Sequence, residues 1–319
     1  MYGYIARRIL QAVPVMMLVA TAVFLLLRLT PGDPTDMLLG PEATPERAAE
    51  LRRDLGLDRP LPVQWAVWFG HVLRGDLGES IFLRRPVVQA IWERAEPTLM
   101  LTLLSLSVAV LLGLSLGVLA AVRHGTWADL LAMFISMAGI SMPTFWIGLN
   151  LILVFAVFLG LLPVAGYKPL SDGLWENVRY LLLPAITLGF YDSALLARMT
   201  RSMMLGVLKE NYVRTARSIG LPERRVVLRH ALRNALIPLL TIVGLMFAGL
   251  MGGALVTETV FKIPGVGRLL IQAVVRRDYA LVQGIVLVIA GLYVAINLCV
   301  DILYGVLDPR ISRSESRTT

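Results

Sequence analysis

The 319-residue chain is 57% hydrophobic and 16% charged, with a mean hydropathy of +0.72, whereas soluble domains carry roughly a quarter charged residues. This excludes a soluble domain and marks an integral membrane protein. The formal charge of +8, from 30 Lys+Arg against 22 Asp+Glu, therefore reads first as membrane topology and not as nucleic-acid affinity.

A hydrocarbon core takes about 20 apolar residues per helix. Six runs meet that length: 9 to 27, 99 to 122, 130 to 160, 180 to 199, 236 to 256 and 280 to 303. The first follows Arg7 and Arg8 and stays apolar through Leu27, with no polar cleavage stretch, so it reads as an anchor and not as a signal peptide. The third is long enough for tilt or for a break at Pro143. The fourth is interrupted by Asp192 and Arg198, and charge decides whether it spans. Segment 31 to 98 holds eight Arg and eleven Asp/Glu, net −3, while 192 to 235 holds nine Lys/Arg and three Asp/Glu, net +6. Six spans with both termini cytoplasmic put the acidic segment outside and the basic loop inside. The expected organisation is an N-terminal tip and first span (1–30), an external segment (31–96), a core of five spans with a cytoplasmic loop at 203–235 (97–305), and a cytoplasmic tail (306–319). Within the external segment, Thr44 as cap, Pro45 at the first position and Gly56 as terminator predict a short amphipathic helix with Ala48, Leu51 and Leu55 on one face.

Catalytic signatures are missing from the sequence. No Gly-Lys dipeptide occurs, so no phosphate-cradling GxxxxGK[ST] loop can form. Cys299 is the single cysteine, and His71, His124 and His230 form no HExxH pair, so no metal site is written. Asp192 and Asp301 lie outside any Gly-x-Gly-Asp context, which argues against an intramembrane protease. The chain is read as non-catalytic.

The informative segment is the basic loop. Gly220 suits the left-handed end of one helix, Pro222 the start of the next, and Glu223 that helix's first turn. A helix–turn–helix follows, with Val227, Leu228, Ala231 and Ala235 as an apolar strip and Arg224, Arg225, Arg229 and Arg233 elsewhere around the helix. Such an element can dock on a partner protein or lie on anionic lipid.

Here the sequence resembles the permeases of binding-protein-dependent ABC importers, whose loop reads Glu-Ala-Ala, three residues, Gly, nine residues, Ile-x-Leu-Pro. Arg214-Thr215-Ala216 stands for Glu-Ala-Ala and Gly220 matches, whereas His230 replaces the Ile and Arg233 the Pro. The likeness is closer to the B-type permease of the dipeptide, oligopeptide, nickel and glutathione branch. That branch's phrases stand at 214 to 220, 230 to 238, Pro31 to Pro34, Gly75 to Gly78, Glu258 to Phe261 with Pro264-Gly265, and Asp308 to Arg310. The resemblance implies an all-α, six-span, type I importer permease of the bacterial inner membrane. Its implied partners are a homologous second permease, two ATPase subunits, an external solute-binding protein, membrane lipid and a peptide or other small solute, with no nucleic acid. It implies no cofactor on this chain, ATP and Mg²⁺ being held by the ATPase subunits. Arg214, Thr215, Ala216, Arg217, Ser218, Gly220, Leu221, Pro222 and Glu223 would form the element coupling the chain to an ATPase. Dipeptides or oligopeptides are the expected cargo, nickel or glutathione the alternative within the branch, and a channel-like or structural subunit without ATP coupling the alternative outside it.

Buried charge supplies the remaining candidates. Asp192 either lines the translocation path or is satisfied by Arg198 or a polar patch at a subunit interface. Glu258 is a second path candidate, although it and Asp301 also fit paired charges. Gly113 with Gly117, and Gly249 with Gly253, form small-residue faces for helix packing, within the chain or against the second permease.

Overall fold

In the computed structural model of this chain, residues 2–29, 44–54 and 56–307 are described. The phrases Pro31 to Pro34 and Asp308 to Arg310, Leu55 and the C-terminal tail lie outside them. The chain divides into two compact units.

One unit comprises 2–96 and 264–294. Its first helix, α1 (Tyr2–Leu29), is apolar enough over Leu10–Leu29 to cross a membrane. α2 (Pro45–Asp54) begins where the sequence predicts, with the Arg47 amide donating to Thr44 Oγ1 at 3.4 Å, and Gly56 follows at φ +63°. α3 (Leu61–Leu73) is apolar yet has no buried residue, and at about 1.5 Å per residue it is too short to span. A two-residue hairpin, β1 (Glu79–Ser80) against β2 (Arg85–Pro86), leads into α4 (Val87–Val122). α12 (Val266–Val275) and the start of α13 (Tyr279–Leu307) pack Leu269, Ala273, Leu281 and Ile285 against Val87, Ala90 and Ile91.

The other unit comprises 97–263 and the chain from 295 onward. The third apolar run is broken, not tilted: α5 (Trp127–Ser141) and α6 (Thr144–Leu151), the latter continued by a π-helical segment (Ile152–Phe158), are bent by 104° about Met142-Pro143. Pro143 caps α6, because its ring fixes φ and removes the donor that would continue α5. α7 (Leu174–Val207) is 34 residues long and runs well past the fourth apolar run at both ends. After it come α8 (Asn211–Ser218), α9 (Glu223–Arg225), a π-helical stretch (Val226–Ala231), α10 (Leu232–Gly253) and α11 (Leu255–Val260). Among the described residues, four helices are individually long and apolar enough to span, and up to six spans result if each of the two bent pairs counts as one.

The core of this unit is built on α7. A Cβ on Gly117 of α4 would lie 2.6 Å from the Ala197 carbonyl oxygen, and one on Gly113 would lie 2.8 Å from the Leu196 Cβ. Only glycine lets the two helices approach so closely. The Gly113/Gly117 face is thus used within the chain, while a Cβ on Gly249 or Gly253 would meet nothing within 4 Å.

Candidate functional site

The segment from α8 to α10 is organised by local hydrogen bonding. α8 ends with the Gly220 amide donating to the Arg217 carbonyl at 3.0 Å and the Leu221 amide to the Ala216 carbonyl at 3.3 Å, with Gly220 at φ +82°. This pair of bonds satisfies the last carbonyls of a helix and requires a left-handed residue between them. Leu221 then packs on the small cluster of Val213, Ala216 and Val226. Pro222 caps α9, and the Arg217 guanidinium bridges the turn to Glu223 with bonds of 3.1 Å from Nε and 2.6 Å from Nη2. Those bonds hold the Glu223 carboxyl below its ordinary range and raise Arg217. A further brace runs from the Asn234 amide to the Tyr212 hydroxyl, 2.8 Å. Arg214, Thr215, Arg217, Ser218, Pro222 and Glu223 are exposed, and so is Ile219 at the tip, at 70%.

The helix after the turn departs from the predicted strip. Val226, Val227, Ala231 and Ala235 are buried, and Leu228 is exposed. The π-helical stretch causes this: its i→i+5 ladder turns about 80° per residue instead of about 100°, which brings Val226 and Ala231 to one side and rotates Leu228 outward.

Close to the end of α7 lies an ion pair that sequence reasoning missed. Arg201 Nε and Nη2 donate to the two oxygens of Asp129 at 2.7 and 2.8 Å, and the Gly125 amide donates to Asp129 at 3.0 Å. His124 Nδ1 lies 3.1 Å from Asp129 Oδ2 and 3.0 Å from Arg201 Nη2. Asp129 is buried. The pair joins the first turn of α5 to the last turns of α7, shortly before α8 begins.

The path candidates separate. Asp192 is half-buried on α7, with no hydrogen-bond or ion-pair partner among the described residues. The pairing of Asp192 with Arg198 is not formed, because six residues along one helix place the two about 120° apart around its axis. Glu258 is fully buried on α11 and accepts a hydrogen bond from Thr98 Oγ1 at 2.6 Å. Thr102 and Ser105 continue the Thr98 face of α4, buried, and their hydroxyls have no hydrogen-bond partner among the described residues. Asp301 is partly buried on α13 and engaged. Among the described residues no three metal-ligating side chains converge.

Residues 113–313 match the family described as "Binding-protein-dependent transport system inner membrane component", and residues 1–102 match its N-terminal companion. A probable peptide ABC transporter permease of Sinorhizobium fredii is 45% identical over 97% of this chain and 98% of its own length. A putative peptide transport system permease of Brucella suis is 44% identical over 98% and 99%. The glutathione transport system permease of Salmonella typhimurium is 45% identical over 98% and 99%. In fold, the chain is similar to a chain of the MetNI methionine ABC transporter in its inward-facing form, with a TM-score of 0.52, 19% identity, and coverage of 70% of this chain and 96% of that one. The chain belongs to the inner-membrane components of binding-protein-dependent transport systems and is a multi-pass permease of the ABC importer type.

Proposed function

We propose that this chain forms half of the translocation pathway of an ATP-driven importer of short peptides. ATP and Mg²⁺ are handled by separate ATPase subunits, and solute is delivered by an external binding protein. The observation that carries this reading is the turn at Gly220, a stiff projection closed by a left-handed cap, an apolar plug and an ion pair, with Ile219 and basic side chains exposed around it. Residues 214 to 223 are its contact with the ATPase. Closure of an ATPase pair would move two such projections together, and the helices rooted in them would open a cavity on the far side. Both termini lie in the cytoplasm in this reading, which the +6 charge of the segment 192 to 235 supports.

Asp192 is placed on the path, where its unpartnered carboxylate would meet the ammonium of a peptide. Peptides are favoured as cargo because relatives named for peptide transport match the whole chain at 44 to 45% identity. Glutathione is the second reading, on the relative named for it. The test is ATP hydrolysis by the reconstituted complex with its binding protein. Dipeptides or oligopeptides are expected to stimulate it; stimulation by glutathione alone would transfer the assignment, and stimulation by no solute would remove it.

A further inference from the structure

The unit formed by 2–96 and 264–294 contains a cavity of about 250 Å³ that the transport reading does not use. Arg28, Arg59, Gln64, Trp68, Tyr279 and Gln283 line it, together with Glu79. Its depth in the membrane follows from the helices that carry it. Arg28 is the penultimate residue of the span Leu10–Leu29, and Tyr279 is the first residue of the span Tyr279–Ile302. Both mark a boundary between hydrocarbon and water, the level at which Trp, Tyr and Arg concentrate. α3, which carries Trp68, is an apolar helix too short to span and without a buried residue, as expected of a helix lying in that boundary.

Among the described residues, two buried donors beside the cavity lack acceptors, and one buried acceptor, Gln64 Oε1, lacks a donor. The Arg28 guanidinium sits between the rings of Phe24 and Tyr279, 5.4 and 5.5 Å from their centroids, and its buried Nε has no acceptor. Gln283, only 4% exposed, has an Nε2 without a partner. Buried donors left unmade are costly, and two around one cavity mark a place for an acceptor-rich group. An arginine fork held by flanking rings suits a phosphate, whose oxygens it binds in pairs. Arg59 adds a second cation, while Glu79 provides an anion for an ammonium group.

We propose that this cavity binds the phosphate head group of a phospholipid, with Arg28, Arg59 and Gln283 on the phosphate and Glu79 on the ammonium when the lipid is phosphatidylethanolamine. The acyl chains would run down the exposed apolar side of α1. The site can be tested by native mass spectrometry of the assembled transporter, titrated with phosphatidylethanolamine, phosphatidylglycerol, diacylglycerol of the same chains, and soluble glycerophosphoethanolamine. Both phospholipids are expected to bind and diacylglycerol to fail. Arg28→Gln and Gln283→Leu should each weaken phospholipid binding about tenfold, the order set by one charge-assisted or buried hydrogen bond. Glu79→Gln should weaken phosphatidylethanolamine alone. Should Arg28→Gln not assemble, Arg59→Gln carries the same expectation from outside the helices. Equal binding of diacylglycerol, or phospholipid binding unchanged in the variants, would overturn the site. Binding of glycerophosphoethanolamine as tight as that of the intact lipid would overturn the lipid as its source.

Discussion

Arg217 and Glu223 face each other across Gly220 and are joined by two hydrogen bonds, so the two helices of the projecting turn are tied at their tips. Both side chains are more than a third exposed, 42% and 53%, so the pair adds little to global stability, of the order of 1 kcal/mol or less. Glu223→Gln is therefore expected to leave the melting temperature of the complex nearly unchanged. The carboxyl's folded value is depressed, so the pair's contribution is present above the unfolded carboxylate range and fades as pH falls through the folded value. Hydrogen exchange of the 217 to 223 amides, compared at neutral pH and at a pH below the ordinary carboxylate range, checks this. Protection should drop on acidification in the wild type and be lower and pH-insensitive in Glu223→Gln.

Gly220 has open space around it, since a Cβ there would meet nothing within 4 Å. The cost of a side chain is thus backbone strain alone. Valine at φ +82° is expected to cost about 1–3 kcal/mol locally, and asparagine, which tolerates the left-handed region, clearly less. The order glycine, asparagine, valine in amide protection across the turn would confirm it, and equal protection in all three would refute it.

Arg201 neutralises an Asp129 that is only 6% exposed in its side chain. Removing the guanidinium leaves a buried carboxylate unpaired, and Arg201→Ala is expected to destabilise by about 3 kcal/mol. Replacing both residues by apolar ones of similar volume should recover much of that loss. Thermal unfolding of the single and double variants measures both effects.

Asp278 anchors the hairpin from a distance. Its carboxylate accepts from Ser80 Oγ at 2.5 Å and from the Phe82 amide at 3.2 Å, and it caps α13 through the Leu281 amide at 3.2 Å. Asp278→Ala should free the 79 to 86 hairpin and raise its proteolysis rate severalfold, with a loss of about 2 kcal/mol. Limited proteolysis of the purified complex reads this out.

Local chemistry was legible in the sequence and distant pairing was not. Thr44, Pro45 and Gly56 bounded α2, and Gly220 with Pro222 bounded the turn, because caps are written close in sequence to the bonds they make. The apolar runs located the spans because a bilayer tolerates no other composition. The 104° break at Pro143 was legible as a break but not as an angle, which depends on what each half packs against. The π-helical stretch at Val226–Ala231 leaves no residue signature, so a strip drawn at about 3.6 residues per turn misplaced Leu228. Arg201 and Asp129 lie 72 residues apart and Ser80 and Asp278 lie 198 apart, and no spacing rule links such pairs before the chain is folded.

In the proposed mechanism, ATP-driven motion enters this permease through the turn at Gly220. The decisive quantity is the solute accumulated per ATP hydrolysed, measured in proteoliposomes that contain the complete transporter. For Gly220→Val, assembled in normal amount, ATP hydrolysis should continue while uptake per ATP falls about tenfold or more. A ratio equal to that of the wild type would show that the turn does not carry the motion.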